Sequence, residues 1–183
     1  MKVFLVIILS FSWGIISAQN VDTLKKSIPK KTELKIGRAQ FRISYYAPNV
    51  RGRIIYGGLV PFNEVWVTGA HSATSFEFNV PITIGGKEIE AGKYAFFTIP
   101  NQDSWTIIIN KNYKQHLTDD YSESEDVHRF TIIPTRGAMR ERLDYRLEKA
   151  TERELKFVFR WEQLVISFPI TIQSNKPVFK MEE

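Results

Sequence analysis

The sequence predicts an all-β protein, an antiparallel, jelly-roll-like β-sandwich of about nine or ten strands. Three observations support this class. Apolar and polar residues alternate with a period of two through most of the chain after residue 38. Turn signals such as Gly57-Gly58 and Gly85-Gly86 separate these runs at intervals of roughly 8–12 residues. No segment has the pattern of a strand–helix–strand unit.

The alternating runs are the predicted strands. In the first of them Phe41, Ile43 and Tyr45 alternate with Arg42 and Ser44. The later runs with the same alternation are 76–80, 105–109, 155–159 and 164–172. Because successive side chains of a strand point to opposite faces, each run has one face suited to burial. Trp105 is therefore predicted to lie in the core.

Two further segments need a separate interpretation. In residues 139–148 (MRERLDYRLE) the leucines fit a helical spacing, but Leu143, Tyr145 and Leu147 also alternate with charged residues as in a strand. We favour a strand that pairs, across a turn near 150–154, with the strand starting at Leu155. Residues 111–126 lack alternation and are predicted to form a loop, and loops of this length tend to be functional or mobile.

The amino terminus predicts a secretory signal peptide over residues 1–18. Lys2 precedes an apolar run from Val3 to Ile16, and Ala18 is a small residue at the predicted cleavage site. The run is shorter than the roughly 20 residues of a membrane-spanning helix. We therefore expect an exported protein, periplasmic or extracellular, that does not span a membrane after signal cleavage.

The rest of the chain is predicted to contain one folded domain. Its predicted parts are a flexible lead-in at 19–37, the β-sandwich domain at 38–173 and a carboxyl-terminal tail at 174–183. The chain has no cysteine, which excludes disulfides and thiol catalysis. The net charge is +5, but basic residues are interspersed with acidic ones, so no nucleic-acid partner is predicted. No cofactor and no particular oligomeric state are predicted.

His71 is the first candidate for a catalytic residue. It lies between the strand-like runs that contain Trp66 and Phe76. Adjacent residues of an extended chain point to opposite faces, so His71 and Ser72 meet as base and nucleophile only in a special turn. We interpret His71 as a turn residue, with a place in a pocket wall as the alternative.

The histidines and carboxylates are the next candidates. His71, His116 and His128 are the only histidines, and they lack the spacing of a zinc motif. The acidic residues near 119–126 lack the spacing of a calcium loop. No pair of carboxylates is singled out for glycoside hydrolysis. No metal is predicted.

Aromatic residues and arginines form a third candidate, a ligand-binding face. Aromatic rings can stack on flat apolar faces such as those of sugars, and arginines can bind carboxylates or phosphates in bidentate geometry. The aromatic candidates include Tyr45, Tyr46 and Trp105. The predicted ligand-binding residues are Arg51, Arg53, Trp66, His71, Tyr113 and Arg129. The alternative is that the aromatic residues lie in the core and the arginines in solvent.

Three stretches of the chain resemble the bacterial domain-of-unknown-function family 2911: RGRIIYGGLVPFNEVWVTGA, ITIGGKEIEAGKYAFFTIPNQDSWTIIINK and DVHRFTIIP. The likeness covers about residues 38–172. It implies an all-β protein exported by a Gram-negative bacterium, with no established activity and no catalytic residues to assign. Where the family usually reads W-R-x-G-A-N-E-A-T, this chain has Val67, His71 and Ser72 in place of Arg, Asn and Glu. If the segment is a functional site in relatives, the resemblance implies that this protein has altered chemistry there or has lost it.

These observations favour an exported module that binds a ligand or associates with the cell envelope, without catalysis. A small molecule or a glycan is the expected ligand. One alternative is a periplasmic hydrolase acting on a sugar-containing or acidic small substrate, with its site near His71 and the 111–126 loop. The other is a purely structural protein-interaction domain. Convergence of His71, Trp66 and Arg53 with an acid in one pocket would favour the hydrolase.

Overall fold

The computed structural model describes residues 26–173 and residue 181, and in this part of the chain ten strands form two antiparallel sheets. One 3₁₀ turn, Glu123–Glu125, precedes the eighth strand. The strands are β1 (Ile28–Ile36), β2 (Ala39–Ala47), β3 (Ser75–Phe78), β4 (Ile82–Ile84), β5 (Lys87–Ile89), β6 (Gly92–Ile99), β7 (Trp105–Asn110), β8 (Asp126–Ile132), β9 (Thr135–Lys149) and β10 (Glu154–Ile172).

The two sheets pack face to face as a sandwich, which confirms the predicted fold class. The larger sheet has the strand order β1-β2-β3-β6-β7-β8, and the smaller sheet has the order β5-β4-β10-β9. Inward side chains of both sheets form one large core, in which Trp105 is 1% exposed. The prediction that Trp105 lies in the core is therefore confirmed.

The sandwich starts ten residues before the predicted boundary at 38, because the second half of the expected lead-in is strand β1. β1 pairs with β2 along its whole length, from Ile28 opposite Ala47 to Ile36 opposite Ala39. Its exposed and partly buried residues alternate. The alternation is hard to see in the sequence because inward positions of this edge strand hold polar side chains, among them Thr32, which donates a hydrogen bond to the Tyr145 carbonyl (3.0 Å).

The predicted signal peptide at 1–18 and the first part of the predicted lead-in lie outside the described residues. The predicted tail at 174–183 also lies outside them, apart from Met181. Within the described part of the chain, no helix is long and apolar enough to cross a membrane.

The segment 139–148 is a strand, as predicted. It belongs to β9, which pairs with β10 across the turn after residue 149. The pairing shifts register on both sides of Glu162, whose φ of 55° marks a bulge in β10. Beyond this bulge, β9 from Thr135 to Glu141 is exposed on both faces, and Arg136 and Arg140 lie there.

Two chain segments, 65–74 and 111–125, cover the outer face of the larger sheet and are called the outer layer below. Phe96 of β6 points into the main core, whereas its neighbours Ala95 and Phe97 pack in a second cluster with Val67 and Ala73 of the outer layer. The two segments of the layer also bind each other, because Ala73 N–H donates to the Gln115 carbonyl (3.0 Å). The outer layer is therefore a third, partial layer on the sandwich.

Candidate functional site

A groove of about 360 Å³ lies on the outer face of the larger sheet, beside the outer layer. Its floor contains Ser44 of β2 and Ser75 of β3, which are opposite each other in the strand pairing. Tyr46, two residues along β2, lies on the same face, and Tyr113 of the outer layer lines the groove with it. Small serine side chains between larger tyrosines leave a depression in the sheet surface.

Three lysines line this groove, namely Lys30, Lys93 and Lys114. The Nζ atoms of Lys93 and Lys114 lie 5.0 and 5.6 Å from the centre of the Tyr113 ring, which is cation–π distance. No lining residue in the described part of the chain is acidic. The groove therefore combines positive charge, hydroxyl groups and aromatic rings.

The nearest acidic neighbour by strand pairing is Glu77, which is opposite Lys93. Glu77 belongs to a row of charges across the outer face of the sheet, in which Arg42 lies between Glu33 and Glu77. Arg42 donates to Glu33 Oε1 at 2.8 Å and to Glu77 Oε2 at 3.2 Å. Because Glu77 is bound to Arg42, its charge is already partly compensated, and the groove remains positive.

His71 lies at the edge of this site, in the bend that was inferred from the sequence. Its backbone has a φ of 61°, in the left-handed region, and its carbonyl accepts the Leu117 N–H at 2.6 Å. The imidazole contacts the edge of the Tyr46 ring, with 5.0 Å between the ring centres. His71 thus holds the two outer-layer segments together, and its neighbour Ser72 lines the groove.

The other predicted site residues lie elsewhere and contact protein groups. Trp66 is half-buried and stacks on Trp161, with 5.8 Å between the ring centres. The guanidinium of Arg53 donates to the carbonyls of Val50 (3.1 Å) and Asn49 (2.6 Å). Burial and the charge of the nearby Arg51 lower the pKa of Arg53. Arg51 is exposed, and its N–H donates to a Glu141 carboxylate oxygen at 2.8 Å.

Arg129 anchors the end of the 111–125 segment to β8. Its Nε donates to Asp126 Oδ2, its Nη2 donates to the Tyr121 hydroxyl, and Glu123 Oε2 lies 3.3 Å from Nη2. The Tyr121 hydroxyl in turn donates to Asp126 Oδ2 at 2.9 Å. Of the six predicted site residues, only Tyr113 lines the groove and only His71 borders it.

The Tyr121 hydroxyl makes the stability of the protein sensitive to alkaline pH. Burial, followed by the hydrogen bond to Asp126, raises the pKa of Tyr121 from 10.0 to about 12. Between these values the unfolded chain releases the proton and the folded chain keeps it, so stability falls as pH rises through this window.

We expect Tyr121→Phe to lose less unfolding free energy than the native protein between about pH 9 and about pH 11.5. Urea titrations at both pH values measure the difference. Burial also raises the pKa of Tyr45 and Tyr94, so the variant should retain part of the alkaline loss. An equal loss in the native protein and the variant would show that Tyr121 titrates normally.

The remaining histidines do not join the groove. Nδ1 of His116 lies 3.0 Å from Asp119 Oδ2 on the exposed surface. The His128 ring stacks on Phe130, and its Nε2 lies 3.1 Å from the Gly85 carbonyl oxygen. In the described ranges, no three histidine, aspartate or glutamate side chains are grouped in a way that would hold a metal ion.

The groove lysines and serines were not predicted as site residues. Lys93, Ser44 and Ser75 come from three strands, and only the sheet order brings them together. Lys114 directly follows Tyr113 in the predicted loop. An aromatic residue next to a lysine in a long loop is therefore the sequence feature that could have indicated the positive charge of the groove.

Comparison with known proteins identifies a family. A family model described as "Protein of unknown function (DUF2911)" matches residues 27–170, from the start of β1 almost to the end of β10. No curated protein and no solved structure matches the chain. Because the matched region includes nearly the whole sandwich with its outer layer and groove, the chain belongs to the DUF2911 family.

Proposed function

We propose that this protein is an exported binding module without catalysis, and that its ligand site is the groove between Tyr46 and Tyr113. The observation that supports this proposal is the convergence of three lysines, three tyrosines and three serines in one depression of about 360 Å³. Small-molecule sites have volumes of roughly 300–1,000 Å³ and combine aromatic surface with a few polar groups. The groove has this size and composition.

The lining of the groove favours binding over hydrolysis. Hydrolysis by acid–base chemistry needs a group that transfers a proton at hydrogen-bond distance from the reacting atoms. No carboxylate lines the groove among the described residues, and the His71 imidazole packs against Tyr46 outside it. Trp66 stacks on Trp161, and the Arg53 guanidinium donates to the Asn49 carbonyl, so neither side chain lines the groove. The convergence expected of a hydrolase is therefore absent from this part of the chain.

Export is the second part of the proposal, and the predicted signal peptide supports it. Residues 1–18 combine Lys2, an apolar run and a small residue at the cleavage position. We place the mature protein, residues 19–183, in the periplasm or outside the cell. A ligand taken from that compartment, such as an envelope glycan, is consistent with a groove on the outer face of the sheet.

A thermal-shift screen of residues 19–183 tests the binding function. The panel holds neutral and acidic sugars, peptidoglycan fragments, nucleotides, carboxylates and divalent metals. A ligand of the folded state at about a hundredfold excess over its Kd adds about 2.7 kcal/mol to the stability. We expect a dose-dependent rise in Tm with at least one class of sugar ligand.

The variant Ser44→Leu tests whether the rise in Tm comes from binding in the groove, because a leucine at this position fills the floor between the tyrosines. We expect the ligand-induced rise in Tm to disappear in Ser44→Leu. Thr171→Leu is the control, since Thr171 is an exposed strand residue of the smaller sheet. A rise that persists in Ser44→Leu would place the ligand elsewhere, and no rise across the panel would favour the structural interaction domain.

A further inference from the structure

We infer that the groove selects an anionic carbohydrate, that is, a sugar bearing a carboxylate or a phosphate. This inference rests on the proposed binding function and specifies its ligand. The first argument is electrostatic. The three lining lysines form no ion pair with another described residue, and no lining residue there is acidic. A concave site lined by charges of one sign concentrates ligands of the opposite charge.

The second argument is the position of the lysines on the sheet. Lys30 lies on β1 and Lys93 on β6, and β2 and β3 run between them and form the serine floor. Three strand spacings of about 4.8 Å separate β1 from β6 by roughly 14 Å. Lys30 is opposite the core residue Tyr45, so its side chain leaves β1 on the inner face, as that of Thr32 does. The charge on the outer face therefore comes from Lys93 and Lys114 at one side of the floor, which suits a ligand that carries its anionic group at one end.

The third argument is the order imposed on the lysine side chains. Both Lys93 and Lys114 lie against the Tyr113 ring, which restricts two otherwise flexible side chains. An ammonium group restricted in this way loses less conformational entropy when it binds an anion. Tyr113 therefore acts as a positioning residue for the two charges, and part of its ring surface is already occupied by them.

The fourth argument is the chemistry of the floor. Ser44 and Ser75 of the floor and Ser72 of the outer layer contribute hydroxyl groups, each of which can donate and accept hydrogen bonds. Sugar hydroxyls have the same double capacity, so the floor complements a sugar ring, whereas an apolar acid would leave these hydroxyls unpaired. The two lysines beside Tyr113 and the hydroxyl floor together indicate a sugar with an anionic group.

Isothermal titration calorimetry of residues 19–183 with two matched probes tests this inference. The probes are trigalacturonate and its methyl ester, which differ in charge and share the same sugar chain. We expect trigalacturonate to bind at least about tenfold more tightly than the ester, and its Kd to rise between about 50 mM and about 300 mM salt. Glucose 6-phosphate and inorganic phosphate are the second pair, and they distinguish a phosphate-bearing sugar from a phosphate group alone.

The double variant Lys93→Gln/Lys114→Gln assigns the charge effect to the groove. We expect at least about a tenfold loss of affinity for trigalacturonate, or for glucose 6-phosphate if that is the better ligand. The control Lys35→Gln/Lys156→Gln removes the same net charge from exposed positions outside the groove and should bind within about twofold of the native protein. If the double variant does not fold, the single variant Lys114→Gln, at an exposed loop residue, takes its place.

The outcomes separate this inference from the proposed function. Equal affinity for trigalacturonate and its ester would overturn the anionic selectivity and leave the binding function in place. Inorganic phosphate binding as well as glucose 6-phosphate would overturn the role of the serine floor. Binding of none of the four probes, together with a negative thermal-shift screen, would overturn the proposed function itself.

Discussion

Trp105→Ala is expected to lower the free energy of unfolding by about 3–5 kcal/mol. The Trp105 side chain is 1% exposed and lies at the first position of β7, between the two sheets. Its ring centre is 5.1 Å from that of Tyr56 and 6.1 Å from that of Phe159. Truncation removes these contacts and leaves a cavity that a rigid sandwich closes only in part.

Urea denaturation of the native protein and the variant measures this loss, with the m-value as a check that the same surface unfolds. Ile133→Ala is the control, because the Ile133 side chain is 74% exposed and should change stability by at most about 0.5 kcal/mol. A loss of less than about 1 kcal/mol in Trp105→Ala would contradict the core position of this residue.

Gly85→Ala is expected to cost about 1–3 kcal/mol more than Gly86→Ala. Both glycines form the turn between β4 and β5 with positive φ angles, 55° at Gly85 and 80° at Gly86. A side chain at either position therefore introduces backbone strain. At Gly85 a Cβ atom would also lie 2.5 Å from Cγ of Phe130 and 2.9 Å from Nε2 of His128, whereas at Gly86 it would meet nothing within 4 Å.

Gly86→Ala is thus a matched control that carries the backbone strain without the collision. The difference between the two variants isolates the contact between the β4–β5 turn of the smaller sheet and β8 of the larger sheet. Thermal or urea unfolding of both variants measures it. Equal stability of the two variants would mean that Phe130 moves aside at no cost and does not fix the turn.

The sandwich could be predicted because its strands carry their burial pattern in their own residues. Leu143, Tyr145 and Leu147 alternate with charged residues in β9, and all three are buried. β1 was missed because an edge strand with lysines on its outer face and a threonine inside shows little contrast between its faces. Its stability comes from full-length pairing with β2, which is a property of two strands together.

The candidate site was harder to predict because it depends on sheet order. Tyr113 and His71 stood out in the sequence as an aromatic and an imidazole outside regular strands. Lys93 reached the site only because β3 pairs with β6 rather than with β4, which follows it in the chain. Arg53 and Arg129 resembled ligand-binding arginines, and the structure gives them carbonyl and carboxylate partners that local sequence does not show.

The exposed half of β9 has a consequence for association between copies of the protein. This strand is the last of the smaller sheet, and an uncovered strand edge is a template for pairing with another chain. If two copies paired antiparallel about Ala138, Arg136 of each copy would lie opposite Arg140 of the other. Like charges opposite each other destabilise such a pair, so in this register the two arginines would oppose the growth of an intermolecular sheet from this edge.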